Sequence, residues 1–258
     1  MPVRLRALSS RVFPHGPLDV VRQVVLFAAA YWLYRYTRGW VDDPQGATVA
    51  FENARNLISI EQATGLFIEP NVHAWTGGWQ VAMDVASWIY INAQSTIILA
   101  ALVFIYVFHN DRFYFVRNMF VVAMAIAIVG YVVYPTAPPR FFPEWGFQDA
   151  VAGFTGVNHD DVEVNALFNP YAAVPSMHCC NAILIGWSLA QMCKWRAAKI
   201  WWALYPFVMV WVVVATANHW TLDAVLGAAT AAVSFYAARW LARARPDAWA
   251  FTPVKATA

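Results

Sequence analysis

Runs of about 18 to 25 mostly apolar residues recur along this chain, each long enough to cross a hydrocarbon core of about 30 Å. No other feature limits the fold as strongly, because a backbone inside such a core must satisfy its own N–H and C=O groups, and a helix does so residue by residue. Composition agrees. Of 258 residues, 60% are hydrophobic and 12% charged, against about 25% charged in soluble domains. A water-soluble globule is excluded, and the chain reads as an all-α, polytopic membrane protein. A net charge of +2, with Lys and Arg spread in small groups, leaves no nucleic-acid-binding face. Cys179, Cys180 and Cys193 share one apolar run and are odd in number, so they read as small buried residues rather than a disulfide framework.

Six transmembrane helices are expected, at about Leu18 to Tyr36, Val85 to Phe108, Phe113 to Tyr134, Met177 to Met192, Ile200 to Ala217 and Leu222 to Ala242. Arg22, Gln23 and Arg35 interrupt the first, whose small residues also suit a signal peptide. A retained helix with snorkelling arginines is the preferred reading. Six crossings sort the cations unevenly. Arg4, Arg6, Arg11, Arg22, Arg112, Arg117, Lys194, Arg196, Lys199, Arg239, Arg243, Arg245 and Lys255 fall on one side, leaving Arg35, Arg38, Arg55 and Arg140 on the other. Cytoplasmic loops carry the positive excess, so both termini are assigned to the cytoplasmic side of a plasma or inner membrane.

The opposite side holds two long loops with most of the acids, among them Asp42, Asp43, Glu52, Glu61, Glu69, Glu144, Asp149, Asp160, Asp161 and Glu163. In the first loop, Thr48 to Ala63 reads as an interfacial helical segment, followed by Gly65, Trp75 and Trp79. The second opens on Pro135-Thr136-Ala137-Pro138-Pro139-Arg140-Phe141-Phe142-Pro143, whose prolines forbid continued helix. No repeat or low-complexity linker divides the chain, so residues 1–258 read as one integral membrane domain.

Ionisable residues at helix ends in a membrane are costly and invite a functional reading. Three groups stand out: Arg140 in the proline-rich turn, His178 in Pro175-Ser176-Met177-His178, and His219 with Asp223 in Asn218-His219-Trp220-Thr221-Leu222-Asp223. The topology brings all three to one face. Ser176 and the N-terminus of the fourth helix form a local anion site, and the Arg140 fork matches phosphate oxygens. If Thr221 to Asp223 is helical, Asp223 accepts from one imidazole nitrogen of His219 and leaves the other free to attack phosphorus. His178 then has the complementary task of protonating the leaving oxygen. A metal site using His219, Asp223, Cys179 and Cys180 is the weaker alternative. His15, His73, His109 and His159 read as structural, Tyr90, Asn92, Gln94 and Ser95 as helix contacts or pocket lining, and Trp75, Trp145 and Trp220 as lipid contact and aromatic belt.

Together, Pro138-Pro139-Arg140, Pro175-Ser176-Met177-His178 and His219-Trp220-Thr221-Leu222-Asp223 resemble the type 2 phosphatidic acid phosphatase superfamily, and most of all its aureobasidin-resistance branch, which includes inositol phosphorylceramide synthases. The resemblance covers about Val85 to Ala242, with a weaker likeness around Glu61 and Glu69. It implies a six-helix catalytic core over about 85–242, a phosphohistidine intermediate, and no metal or other cofactor. It also implies His219 as nucleophile, Asp223 as its orienting partner, His178 as general acid, and Arg140 and Ser176 as phosphate binders. The chain departs from the phosphatase pattern at Val133 and Val213, where that pattern has Lys and Arg, and at Met177, where it has Gly. Asn218, Thr216 and Asn181 are the candidate substitutes for the missing cations.

The expected activity is a lipid phosphate phosphatase working at the extracytoplasmic face. The first alternative is a phosphotransferase moving a headgroup such as phosphoinositol onto an alcohol or lipid acceptor. A transporter or lipid-binding protein comes third, because transporters place their sites near the midplane between repeated halves.

Overall fold

The computed structural model describes residues 13, 15–38, 44–157 and 171–245. Of the residues singled out above, Arg4, Arg6, Arg11, Asp42, Asp43, His159, Asp160, Asp161, Glu163 and Lys255 lie outside them. In chain order the helices are α1 (Pro17–Arg38), α2 (Pro44–Thr64), α3 (Glu69–Gly77), α4 (Gln80–Asn92), α5 (Ile98–Phe108), α6 (Asn110–Val133), α7 (Ala150–Thr155), α8 (Met177–Met192), α9 (Arg196–Ala215) and α10 (Thr221–Ala244). A π-helical turn, Ala93–Ile97, joins α4 to α5, and short 3-10 turns punctuate the proline-rich loop. Among the described residues the only strand-like pairing is an isolated parallel bridge between Thr136 and Ala172.

Every expected segment is helical, but Val85 to Phe108, expected as one helix, is split at the π-helical turn into α4 and α5, and not all of the helices are long and apolar enough to span. α6, α9 and α10 meet that test, and α4 with α5 makes a fourth if the pair, bent by 52°, is one span. α1 falls short because Asp19, Arg22 and Gln23 dilute its apolar run. α8 has 16 residues, which at about 1.5 Å per residue is shorter than a typical hydrocarbon core.

Short as it is, α8 is the centre of the bundle, packed by α6, α9, α10 and α5. Glycines allow the approach. A Cβ at Gly186 would lie 2.5 Å from the Trp202 carbonyl oxygen and against the Pro206 ring, so Gly186 lets α9 lie directly on α8. Gly227 of α10 does the same against Ser176, Cys179 and Cys180, and a Cβ at Gly130 of α6 would come within 2.7 Å of Pro175. The segment entering α8 is thus clamped between α6 and α10.

The segment between α1 and α4 folds onto this bundle. Ala50, Ala54, Leu57, Ile58 and Glu61 lie on one face of α2 and are buried, the apolar ones packing on Ala137, Phe142, Phe147 and Trp220. The segment expected to lie on the membrane therefore spends its apolar stripe on the protein. Trp75 and Trp79 remain exposed, at 65% and 69%, with ring centroids 6.2 Å apart.

At the opposite end of the bundle a buried polar network docks α1. Asp19 Oδ2 accepts from Tyr106 (2.8 Å) and Tyr114 (2.7 Å), and its Oδ1 accepts from Gln23 (2.9 Å). Arg117 donates to the Gln23 carbonyl oxygen at 2.8 Å. Polar groups that look like interruptions of an apolar helix are thus its attachment points. Asp19→Ala leaves two hydroxyls and an amide without their acceptor, at a cost of about 1–3 kcal/mol. A lowered thermal unfolding midpoint in detergent, with turnover retained at permissive temperature, is the expected result.

Candidate active site

α10 begins where Asp223 can cap it. Its Oδ2 accepts the Trp220 backbone N–H at 2.9 Å and faces His219 Nδ1 at 3.3 Å. The Asp223 backbone carbonyl also accepts the Ser176 N–H at 3.0 Å, which fastens the start of α8 to the start of α10. One residue therefore joins the two histidine motifs. Asp223 is fully buried, and its Oδ1 has no hydrogen-bond partner.

α9 ends so as to deliver His219. The N–H groups of Asn218 and His219 both reach the Val213 carbonyl, at 3.1 and 3.2 Å, and Ala217 adopts the left-handed conformation (φ 55°) that closes such a turn. His219 and His178 then face each other with ring centroids 5.8 Å apart. His178 stacks on Tyr90 at 4.2 Å, and its Nε2 lies 3.2 Å from the Tyr90 carbonyl oxygen. A carbonyl only accepts, so Nε2 carries hydrogen there and Nδ1 is left for exchangeable proton chemistry. Of the polar group expected near the outer end of this helix, Tyr90 joins the site, whereas Asn92 bonds the Trp88 carbonyl of its own helix.

Arg140 is held over the same place. Its backbone N–H donates to the Ala217 carbonyl at 2.9 Å, and Nη1 donates to Asn218 Oδ1 at 2.6 Å. Asp149 Oδ2 lies 3.6 Å from Nε, yet Nε is buried without a hydrogen-bond partner. An unsatisfied charged donor in a buried position is a place for an anion. Asn218 spends its amide on Thr216, donating to the carbonyl and hydroxyl oxygens at 3.0 Å each, so its contact with the site runs through Arg140. Ser176 caps α8, its Oγ accepting the Cys179 N–H at 3.4 Å, and keeps its own hydroxyl hydrogen to donate.

The six residues singled out from the motifs thus converge. Neither position of the missing cations supplies a substitute: Val133 is 73% exposed on the bundle surface, and Val213 is fully buried. Among the described residues, Arg140 is the one Lys or Arg that the observed contacts tie to the site, and no group of three His, Cys, Asp or Glu side chains is arranged to hold a metal ion.

Two residues noted only for a weak likeness prove central. Glu61 and Glu69 are both fully buried, and their Oε1 atoms accept the Leu222 and Thr221 N–H groups at 2.7 and 2.6 Å. Burial, with the charge of Glu69 beside it, pushes Glu61 up to about 9 against the pull of the Leu222 N–H. The signal was available in sequence: Glu61 continues the buried stripe of α2. Trp220, expected at lipid, is instead fully buried among Phe67, Phe142 and Phe147, and its indole N–H donates to the Ala137 carbonyl at 2.9 Å. His73 is structural as expected, its Nδ1 2.7 Å from the Ala215 carbonyl and its Nε2 accepting the Gln148 N–H.

Residues 55–237 match the sequence family described as the PAP2 superfamily. A curated protein of Bacteroides thetaiotaomicron named phosphoinositol dihydroceramide synthase is 22% identical over 218 residues, covering 78% of this chain and 70% of its own. No solved structure matches.

If Asn218 acts through Arg140, the two substitutions will not add. Asn218→Ala is expected to lower turnover roughly tenfold, and its effect is expected to vanish in an Arg140→Ala background, a coupling of about 1.4 kcal/mol in a double-mutant cycle. Independent losses would show that Asn218 touches substrate directly.

Proposed function

The chain belongs to the PAP2 superfamily, and we propose that within it the protein moves a phospho-headgroup from one membrane lipid to an alcohol acceptor through a phosphohistidine on His219. Membership makes it an enzyme acting on lipid phosphate esters and sets the transporter reading aside. The observation that carries the choice of a transferase is the single cation. A phosphomonoester brings two negative charges at neutral pH and a phosphodiester one, and the contacts of the described residues tie only Arg140 to this site. A lone guanidinium, already shared with Asp149, complements the diester better. The name of the Bacteroides relative, phosphoinositol dihydroceramide synthase, supports the same side.

In this reading Arg140 and the Ser176 end of α8 hold the phosphate oxygens. His219 Nε2 attacks phosphorus while Nδ1–H stays on Asp223, which stabilises the imidazolium that forms. His178, protonated on Nδ1, gives that proton to the departing lipid alkoxide, and the first lipid leaves as an alcohol. An acceptor hydroxyl then attacks the phosphohistidine, its proton passing to His178 Nδ1, and the new phosphodiester is released. Water in place of the acceptor would make the same site a hydrolase, so the two activities differ only in what resolves the intermediate.

We also propose that all six helices α1, α4 with α5, α6, α8, α9 and α10 cross the bilayer, with the site at the extracytoplasmic face. Arg112, Lys194, Arg196, Lys199, Arg239 and Arg243 lie at helix ends remote from His219, and this charge bias supports that orientation.

Purified protein in detergent is to be given phosphatidylinositol with and without a ceramide or diacylglycerol acceptor, and phosphatidate separately, all with EDTA present. A new phospholipid formed only with acceptor, and abolished by His219→Ala, is the expected outcome. Inorganic phosphate from phosphatidate at a higher rate would reassign the enzyme as a phosphatase, and loss of activity on chelation would remove the metal-independent mechanism.

A further inference from the structure

We propose that Glu61 and Glu69 form a proton-sharing carboxyl pair that positions the His219–Asp223 dyad by holding the first turn of α10. Every helix begins with N–H groups that lack an intrahelical partner. In α10 the N–H groups of Thr221 and Leu222 are taken by carboxyl oxygens that arrive from 152 and 161 residues away in sequence, at 2.6 and 2.7 Å. These are short bonds to acceptors sitting at the positive end of a helix dipole. Thr221 and Leu222 are the only residues between Trp220 and Asp223, so whatever fixes them fixes the carboxylate that orients His219.

The remaining oxygens make the case for a shared proton. Oε2 of Glu61 and Oε2 of Glu69 are both buried without a hydrogen-bond partner, and Glu69 lies close enough to act on Glu61. One proton between two carboxyls satisfies both at once. The groups facing Glu61 are Glu69 at the start of α3 and Asp223 on α10, with His219 bonded to Asp223 beyond. Were both glutamates ionised, three carboxylates would surround one dry helical turn. The rise of Glu61 to about 9, caused first by burial and reinforced by the charge of Glu69 against the pull of the Leu222 N–H, keeps the Glu61 proton in place through neutral pH. The hydrogen bonds of both glutamates go to Leu222 and Thr221 and not to His219 or His178, so they are positioning residues.

The consequence for activity rests on His219 being the nucleophile; the consequence for stability does not. Glu61→Gln mimics the protonated acid, since an amide oxygen still accepts from Leu222 and an amide N–H still donates to Glu69. The parent is expected to lose activity on an alkaline limb with a midpoint near pH 9, and Glu61→Gln is expected to keep most of kcat at neutral pH and to lack that limb. Glu61→Ala is expected to lower kcat by about a hundredfold, as misplacement of reacting groups does, with the donor KM unchanged.

Stability provides the activity-independent measurement. Unfolded, Glu61 ionises near its ordinary 4.5; folded, it keeps its proton up to about 9. Between those values the folded state binds more protons, so its stability falls as pH rises. Chemical unfolding of the parent and of Glu61→Gln from pH 5 to 9 is expected to show this slope in the parent and a flatter one in the variant. Identical pH profiles for rate and for stability in the two proteins would overturn the proposal, and so would a Glu61→Gln loss equal to that of Glu61→Ala in folded protein. Turnover that survives His219→Ala while the stability difference persists would instead retire the nucleophile and leave the pair standing.

Discussion

Asp223 is the residue on which the rest of this arrangement depends. Its carboxylate holds the Trp220 N–H and His219 Nδ1, and its carbonyl holds the Ser176 N–H, so the ends of α8, α9 and α10 meet at one side chain and its backbone. A fully buried carboxylate is expensive unless it is surrounded by donors. Here the expense is met by the start of a 24-residue helix and by an imidazole. Close packing makes the meeting possible: Gly227 and Gly130 admit the Pro175–Ser176 segment between α10 and α6, where a methyl group would collide.

Around that centre the long connecting segments behave as part of the core. The proline-rich turn is pinned on two sides, by the Ala137 N–H to Ala50 on α2 (3.0 Å) and by the Arg140 N–H to Ala217 (2.9 Å). Asn53 adds a bond to the Pro135 carbonyl at 2.8 Å. Because the prolines contribute no N–H of their own, the few backbone N–H groups of this turn all find carbonyls, and the Arg140 backbone is left with little freedom. α2 and α3 carry the two glutamates to the start of α10, so the segment between α1 and α4 supports the site. The economy of positive charge is then a structural property: the contacts place one guanidinium, held by Asn218 and Asp149, against the turn that carries His219.

Much of this was legible in the residues themselves. Helical periodicity and apolar run length located most of the long helices to within a few residues but read Val85 to Phe108 as one helix where the chain bends by 52° between α4 and α5, and the three motifs named the histidines, Asp223, Arg140 and Ser176. Other features were not. The membrane-spanning length of α8 could not be judged from its apolar run, because its neighbours bury it whatever its length. Trp220 looked like an aromatic-belt residue, because a tryptophan at a helix end is the same letter whether it faces lipid or Phe67, Phe142 and Phe147. Asn218 looked like a phosphate donor, but its hydrogen-bonding capacity is consumed by Thr216 and Arg140.

By itself, the sequence determined the helical, membrane-embedded class and the chemical types gathered at one face, because run length and motif spacing are local properties. Tertiary structure alone decided which of those groups are spent on one another and which are left for substrate. Glu61 and Glu69 reach Leu222 and Thr221 across 161 and 152 residues, and Asp19 reaches Tyr106 and Tyr114 across 87 and 95. No local pattern encodes such partners, since buried polar groups are matched by whichever donors the packing brings within about 3 Å.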